Sequence, residues 1–172
     1  MISDRTSITE RPEAVEDRQE IGHWEGDTVV SGKRTHSKTA LAVVQERTTR
    51  LIGATLIPNL KPESFTTATN HMLADKQALT LSLDNGIENK QHRGITDASG
   101  VQVYFCDPYS SWQKGGVEHA NKMLRRYLPK GCDLGQFTQE QVDDFVATIN
   151  SKPRRCLGYK SAIQLAKEKG LI

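Results

Sequence analysis

Apolar positions recur along this chain first with a period of two and then in alternation with helical spacing, and the order of these stretches predicts an architecture. Residues 24–30, 39–45 and 51–57 read as three strands. Their connections, 31–38 and 46–50, are short and polar, so the strands should pair as antiparallel neighbours. Residues 63–76 carry Phe65, Ala68, Met72 and Leu73 at helical spacing, and the Leu-rich alternation at 79–83 then reads as a strand reached by crossover. Residues 87–99 have no clear period; a short helix broken at Gly94 is the reading that fits. A strand at 101–105, a helix from Val117, a helix at 138–150 capped by Thr138 with Gln141 in the capping-box position, and a last amphipathic helix at 161–169 complete the order. It predicts an α/β fold built on a five-stranded mixed sheet, three antiparallel strands followed by two parallel ones, with helices on both faces. In such a sheet the first strand is central and the fourth packs beside it in parallel. Residues 1–20 are polar, contain Pro12 and lack sustained periodicity. They are expected to form an extended arm or interdomain linker ahead of a core at 21–172.

The stretch from Val101 to Gly131 organises the rest. It opens as a strand, breaks at Asp107-Pro108, passes through a Ser/Gly/Lys segment expected to be a mobile loop, and resumes with helical spacing. On that helix Val117, Ala120, Leu124, Tyr127 and Leu128 fall on one arc and Glu118, Asn121, Lys122 and Arg125 on the next. Taken alone, the second row is an ordinary solvated face with a Glu118 to Lys122 pair. Two further acids change the picture. Asp84 follows the Leu79–Leu83 alternation in an Asp-Asn-Gly turn, so it projects from a strand's carboxyl end, the rim where open α/β sheets bind ligands. Asp27 lies in the first predicted strand and becomes a neighbour of Asp84 if the two strands are adjacent. Glu118 can reach the same rim if its helix crosses the sheet.

Composition narrows the class. The 172 residues suit one domain, and 26% charged with 36% hydrophobic residues describes a soluble globular chain. No apolar run is long enough to span a membrane and the first twenty residues lack a signal-peptide core, so a cytoplasmic chain with no membrane partner is expected. Cys106, Cys132 and Cys156 are odd in number and scattered, which indicates neither a disulfide framework nor a zinc site. The net charge of +2 hides an asymmetry. Residues 1–30 hold more acids than bases, whereas residues 112–160 carry an excess of Lys and Arg, which points to a polyanionic partner on the Glu118 side.

Three carboxylates meeting with no Lys or Arg between them would repel one another strongly. A divalent ion removes the conflict, and oxygen-only ligands suit Mg²⁺ or Mn²⁺. A pair of such ions activates water or a hydroxyl for phosphodiester cleavage. Trp-Glu-Gly-Asp at 24–27, Asp-Asn-Gly at 84–86 and the run from Tyr104 to Asn121 resemble the DDE transposases of bacterial insertion sequences, within the retroviral-integrase superfamily, and most closely their insertion-sequence-thirty branch. The 33 residues between Asp84 and Glu118, Leu-Arg-Arg-Tyr-Leu-Pro-Lys-Gly at 124–131 and Leu-Gly-Tyr-Lys at 157–160 fit the same branch. The resemblance implies a ribonuclease-H-like fold, a bacterial, nucleoid-associated protein, and a metal-dependent nuclease and strand-transfer activity, acting on element terminal repeats and target DNA in a homo-oligomer. It makes Asp27, Asp84 and Glu118 the catalytic and metal-binding acids. It implies two ions, with Asp27 bridging both and the other two acids each holding one. There are departures: Ser111 stands where many relatives have Pro, Val117-Glu118-His119 where they have Asn-Glu-Asn, and Asn89 where Phe is common. The amino-terminal helix-turn-helix region of the family is not found in this sequence, which therefore reads as a catalytic core.

Other residues divide into ligands and neighbours. Lys114, Lys122, Arg125 and Arg126 are candidate phosphate contacts, with Trp112 and Asn121 as further DNA contacts. Glu25 shares a strand face with Asp27 by period two and is read as a neighbour of the metal shell. Glu88 is read as a helix-start acid, His119 as a surface or packing residue, and Pro153-Arg154-Arg155 as a basic cluster, DNA-facing or solvated. The rival functions are a catalytically silent DNA-binding or multimerisation module and a ribonuclease-H-type nuclease on the same fold.

Overall fold

A computed structural model describes residues 2–108 and 110–172, with the side chain of Ser111 left aside. The three antiparallel strands are β2 (His23–Val30), β3 (Ala40–Glu46) and β4 (Ile52–Ile57). α1 (Pro62–Leu73) crosses back to β5 (Thr80–Leu83), and α2 (Arg93–Ser99) leads to β6 (Gln102–Phe105). A short β1 (Thr6–Ser7) precedes them all. The sheet runs β1-β6-β5-β2-β3-β4: β2 pairs antiparallel with β3 and parallel with β5, and β5 pairs parallel with β6. The predicted mixed sheet with β2 central is therefore present, but with six strands rather than five. The sixth is β1, which pairs parallel with β6 through Thr6 and Ser7 alone. Two residues carry no periodicity, so the pattern could not announce it.

α3 (Gly115–Leu124) and α4 (Gln139–Ser151) cover one face of the sheet, and α5 (Ala162–Glu168) ends the fold. β3 is buried along its whole length, because each face of it meets a core. Ala40, Ala42 and Val44 pack with Trp24, Phe65, Leu81, Leu83 and Ile95 on one side. Leu41 and Val43 pack with Val117, Ala120, Leu124, Leu128 and Val142 on the other. The predicted arc of α3 is thus the buried one, except that Tyr127 is only half-buried and stacks on Phe145 with ring centroids 5.0 Å apart. Thr138 and Ser161 each form a complete capping box, with Gln141 and Gln164 respectively, which fixes where α4 and α5 start.

The ambiguous stretch resolves into a 3₁₀ turn at Ile87–Gln91 and α2, meeting at His92. Gly94 sits inside α2 rather than breaking it. A side chain there would crowd Thr66, 3.1 Å from the added carbon, and Asn70 donates to the Gly94 carbonyl. Gly94 therefore serves the close approach of α1 and α2. Upstream of β2, residues 2–20 run from the β6 edge past Ser82 of β5, to which Arg11 donates, to the β3–β4 turn, where Arg47 and Thr48 donate to the Val15 and Glu20 carbonyls; Ile2, Ile8 and Val15 are buried. Cys106 is buried, Cys132 half-buried and Cys156 exposed, all as free thiols.

Candidate active site

The carboxyl ends of β5 and β6, the middle of β2 and the start of α3 meet around a cavity of about 450 Å³ lined by Asp27, Asp84, Asp107, Lys114 and Glu118 among others. The sheet order explains the meeting. Parallel pairing sets Glu25 against Ser82, so Asp27 and Asp84, each two residues further on, leave adjacent strands at the same level. Glu118 reaches them from the first turn of α3.

Each acid is held by different neighbours. Asp84 Oδ1 accepts from the Gly86 amide at 2.9 Å and from Asn89 Nδ2 at 2.9 Å, so the Asp-Asn-Gly turn fixes the carboxylate it carries. Asp27 Oδ2 accepts from Asn121 Nδ2 at 2.8 Å. Lys114 Nζ then bridges the pair, 3.0 Å from Asp27 Oδ1 and 3.0 Å from Asp84 Oδ2. Two contacts to one nitrogen put those oxygens no further apart than twice that distance. The Lys114 side chain is 6% exposed. Burial disfavours its charge, yet Asp27 and Asp84 outweigh burial and hold its pKa above the ordinary lysine value. Glu118 lines the cavity half-buried and, among the described residues, has no cation within salt-bridge distance.

The premise that no Lys stands between the acids is therefore corrected. Lys114 lies four residues before Glu118, and the 3₁₀ turn at Ser111–Lys114 turns it back into the cavity instead of out to solvent. Consistent with this, no three His, Cys, Asp or Glu side chains among the described residues are grouped closely enough to hold an ion as they stand. Cys106 also lines the cavity, but burial pushes its thiol up to about 11, only partly offset by Lys114 and Arg11, so it stays protonated at neutral pH.

Glu25 turns out to be a structural support. Its carboxylate is fully buried and is bound at Oε1 by Arg47 Nη1, 2.6 Å, and at Oε2 by the Val117 amide, 2.8 Å. It satisfies an amide in the first turn of α3, the residue before Glu118, where a negative charge also suits the helix dipole. Gly116 permits the approach, since a side chain carbon there would fall 2.8 Å from Glu25 Oε2 and 2.7 Å from Gln45 Oε1. Period two placed Glu25 on the face of Asp27; nothing local revealed Arg47, which arrives from the β3–β4 turn. Glu88 starts a 3₁₀ turn, as expected, and accepts from Thr28 Oγ1 at 3.0 Å.

The candidate DNA contacts separate. Lys122 and Arg126 are exposed on α3 and just beyond it. Arg125 is engaged with the protein, donating to the carbonyls of Val30, Leu128 and Pro129 and so tying the end of α3 to β2. Asn121 is committed to Asp27, with its Oδ1 buried and unpaired. Trp112 is 74% exposed.

No protein-family model matches the chain. Among curated proteins it is 39% identical over 168 residues to the transposase for insertion sequence element IS1086 of Cupriavidus metallidurans, covering 95% of this chain and 48% of that protein. It is 36% identical over 167 residues to transposase InsI for insertion sequence element IS30A of Escherichia coli, covering 93% and 42%. The chain thus spans about half the length of the curated relatives it matches. Among solved structures, the catalytic core domain of BIV integrase superposes with a TM-score of 0.66 at 21% identity, covering 87% of this chain and 95% of that one. A chain of the simian T-cell lymphotropic virus intasome in complex with PP2A regulatory subunit B56 gamma superposes at 0.67 and 19% identity, covering 83% and 53%. These two likenesses establish the integrase-core, ribonuclease-H-like fold.

Proposed function

We propose that this chain, which belongs to the IS30 family of insertion-sequence transposases, is the part that cuts and joins DNA strands at element ends, with Asp27, Asp84 and Glu118 as the acids of the reaction. The observation that carries the reading is that three acids from β2, the β5 rim and α3 line one cavity in which a cation is already seated between two of them. The Lys114 ammonium is a stand-in: it shows that the donor set receives positive charge. The set is oxygen-rich and fits Mg²⁺ or Mn²⁺ held by the three acids. Such ions, when bound, lower the pKa of an attacking water or hydroxyl and stabilise the departing oxygen.

The chain's own residues do the rest. Gly86 and Asn89 hold Asp84 in one orientation, Asn121 does the same for Asp27, and Glu25 anchors the turn of α3 that carries Glu118. Lys114 offsets one of the two charges of Asp27 and Asp84 and would have to give way to a cation bound there. Action on terminal repeats and target DNA, the use of two ions, and assembly into a homo-oligomer belong to this same proposal, as does the reading of residues 1–20 as an arm or linker ahead of the core at 21–172.

Nicking of a labelled duplex with Mg²⁺ or Mn²⁺ tests it. The parent should nick, and Glu118→Gln should fall to background with duplex binding and thermal stability retained. A Glu118→Gln variant that cuts like the parent sinks the assignment. A silent parent favours a DNA-binding or multimerisation module, and preference for an RNA–DNA hybrid favours a ribonuclease-H-type nuclease.

A further inference from the structure

On the far side of the α3 amino terminus from the acids, a second cleft of about 220 Å³ gathers Arg18, Arg50, His119 and Arg154. These come from four distant parts of the chain: the segment before β2, the β3–β4 turn, α3, and the connection after α4. All three arginines are half-buried, and among the described residues none has a carboxylate within 4.0 Å. Burial lowers the pKa of each, and for Arg18 the charges of Arg50 and Arg47 add to the effect. Glu25, whose charge opposes this at Arg18 and Arg50, is already held by Arg47. His119 is held below the usual histidine range by burial and then by Arg154, Lys122, Arg50 and Arg126. Cations placed together at this cost, with no anion from the protein, are an incomplete structure.

A second observation points the same way. Gln45 lines the cleft, is 1% exposed, and leaves Oε1 without a partner. Its Nε2 donates to the Arg50 carbonyl at 3.5 Å, a long contact, so turning the amide over to offer N–H donors to an entering anion gives up little. The cleft is also not closed. It shares His119, Arg154 and Cys156 with an adjoining hollow of about 340 Å³ lined by Arg126, Lys152 and Arg155. The cations are thus spread over two adjoining hollows beside α3. A single small anion would fill one hollow; cations spread over two suit charges repeated along a polymer, as phosphates are at roughly 3.4 Å per step of each DNA strand.

We propose that Arg18, Arg50, Arg154 and His119 form a phosphate-holding cleft for the backbone of a DNA strand, separate from the acidic cavity and continued by Arg126, Lys152 and Arg155. The inference rests on the reading of the chain as one that acts on DNA, and it adds the surface that holds the strand. Consecutive residues of α3 face the two cavities, Glu118 one and His119 the other, so a strand in the cleft passes beside the acids. Guanidinium groups fit this task because each offers several donors in one plane to phosphate oxygens.

The test is fluorescence anisotropy of a labelled duplex titrated in EDTA at several NaCl concentrations, so that no cutting takes part. With Arg18, Arg50 and Arg154 all changed to Gln, affinity near ~0.1 M salt should fall at least about tenfold, and the slope of log affinity against log salt should shrink by about 2 to 3, close to 0.9 per lost contact. The same three positions as Lys should restore most of the slope, and Arg93→Gln, at an exposed cation on α2, should leave it unchanged. A folded triple Gln variant with the parent's slope overturns the proposal. If that variant does not fold, the arginine Nε–H resonances of the parent decide: the cleft arginines should shift on adding duplex, and their standing still is equally fatal. Inorganic phosphate displacing the duplex at millimolar concentration, as the excess of salt charge alone would not, overturns the commitment to DNA in favour of a free-anion site. Cleavage that survives Glu118→Gln while the slope falls as expected would remove the catalytic reading and leave this one standing.

Discussion

Two cavities flank the start of α3 and balance their charge in opposite ways. In the acidic one, Asp27 and Asp84 have borrowed a cation from their own chain, with Lys114 3.0 Å from each. In the basic one, no carboxylate among the described residues answers Arg18, Arg50 and Arg154, and Arg154 has only a long contact of 3.5 Å to the Ile149 carbonyl. The difference shows how a binding site can be kept folded before its ligand arrives. Asp27 and Asp84 are only partly buried, with side chains 19% and 41% exposed, yet two like charges on one ammonium are close enough to need an internal cation, because their repulsion in a partly dry pocket is large. The three arginines are half-buried too, so the two cavities differ in what their own chain supplies and not in burial. On the proposed reading the first cavity would exchange one cation for another, whereas the second would only have to be filled.

The largest effect should come from removing a charge on the acidic side. Asp84→Asn is expected to abolish nicking while leaving duplex affinity in EDTA unchanged or slightly higher, since a negative charge near the strand has gone. If affinity falls in step with cutting, the two cavities are not distinct in function and the comparison breaks.

Next comes the wall between them. Glu25 and Arg47 have side chains 1% and 3% exposed and line neither cavity, yet Glu25, held by Arg47, binds the turn from which Glu118 and His119 diverge. Arg47→Ala leaves the Glu25 charge buried with one partner fewer and should cost about 3 to 5 kcal/mol of unfolding free energy, read by urea denaturation. A cost under about 1 kcal/mol would mean that water or Arg18 replaces the lost guanidinium, and that the wall is softer than its burial suggests.

How far the sequence disclosed these two cavities follows from where their information lies. Asp27, Asp84 and Glu118 were readable because each sits at a fixed place in a local pattern, a strand, a strand-ending turn and an amphipathic helix, and strand order then brings the patterns together. Lys114 was visible as a basic residue but not as a bridge, since its direction depends on a 3₁₀ turn that has no period. The arginine cleft was nearly invisible. Arg18 lies in a segment without periodicity, Arg50 in a polar turn, and only Arg154 stood in a noticeable basic run. Their meeting is a property of tertiary packing. The same holds for β1, too short to show a pattern, and for Gly94, which looked like a helix breaker because its packing role against α1 leaves no local mark.

A smaller effect would sharpen the idea of exchange. Lys114→Met removes the internal cation and leaves Asp27 and Asp84 facing each other. Mn²⁺ affinity, measured by calorimetry without DNA, should then rise by about tenfold, the size of one partly screened charge contact. Unchanged affinity would show that the ammonium does not compete for the acids, and the stand-in argument would lose its force.

The smallest effect is expected at Trp112, which joins the two regions. It borders a hollow with Arg11, Arg18 and Arg47, so it shares Arg18 with the basic cleft. Its neighbour Gln113 bonds the Asp107 amide and carboxylate at the edge of the acidic cavity. Trp112→Ala should change folding stability by no more than about 0.5 kcal/mol, because a ring 74% exposed packs against little. If the ring stacks on a base of a strand lying across both regions, the same change should weaken duplex binding by about 1 kcal/mol, roughly fivefold. The other tryptophan, Trp24, is 1% exposed with its Nε1 bonded to the Gln77 carbonyl, so quenching of emission on adding duplex reports on Trp112. Quenching that disappears in the Arg18, Arg50 and Arg154 triple variant would join the cleft and the ring in one DNA path, whereas quenching that persists there would assign Trp112 to a separate contact.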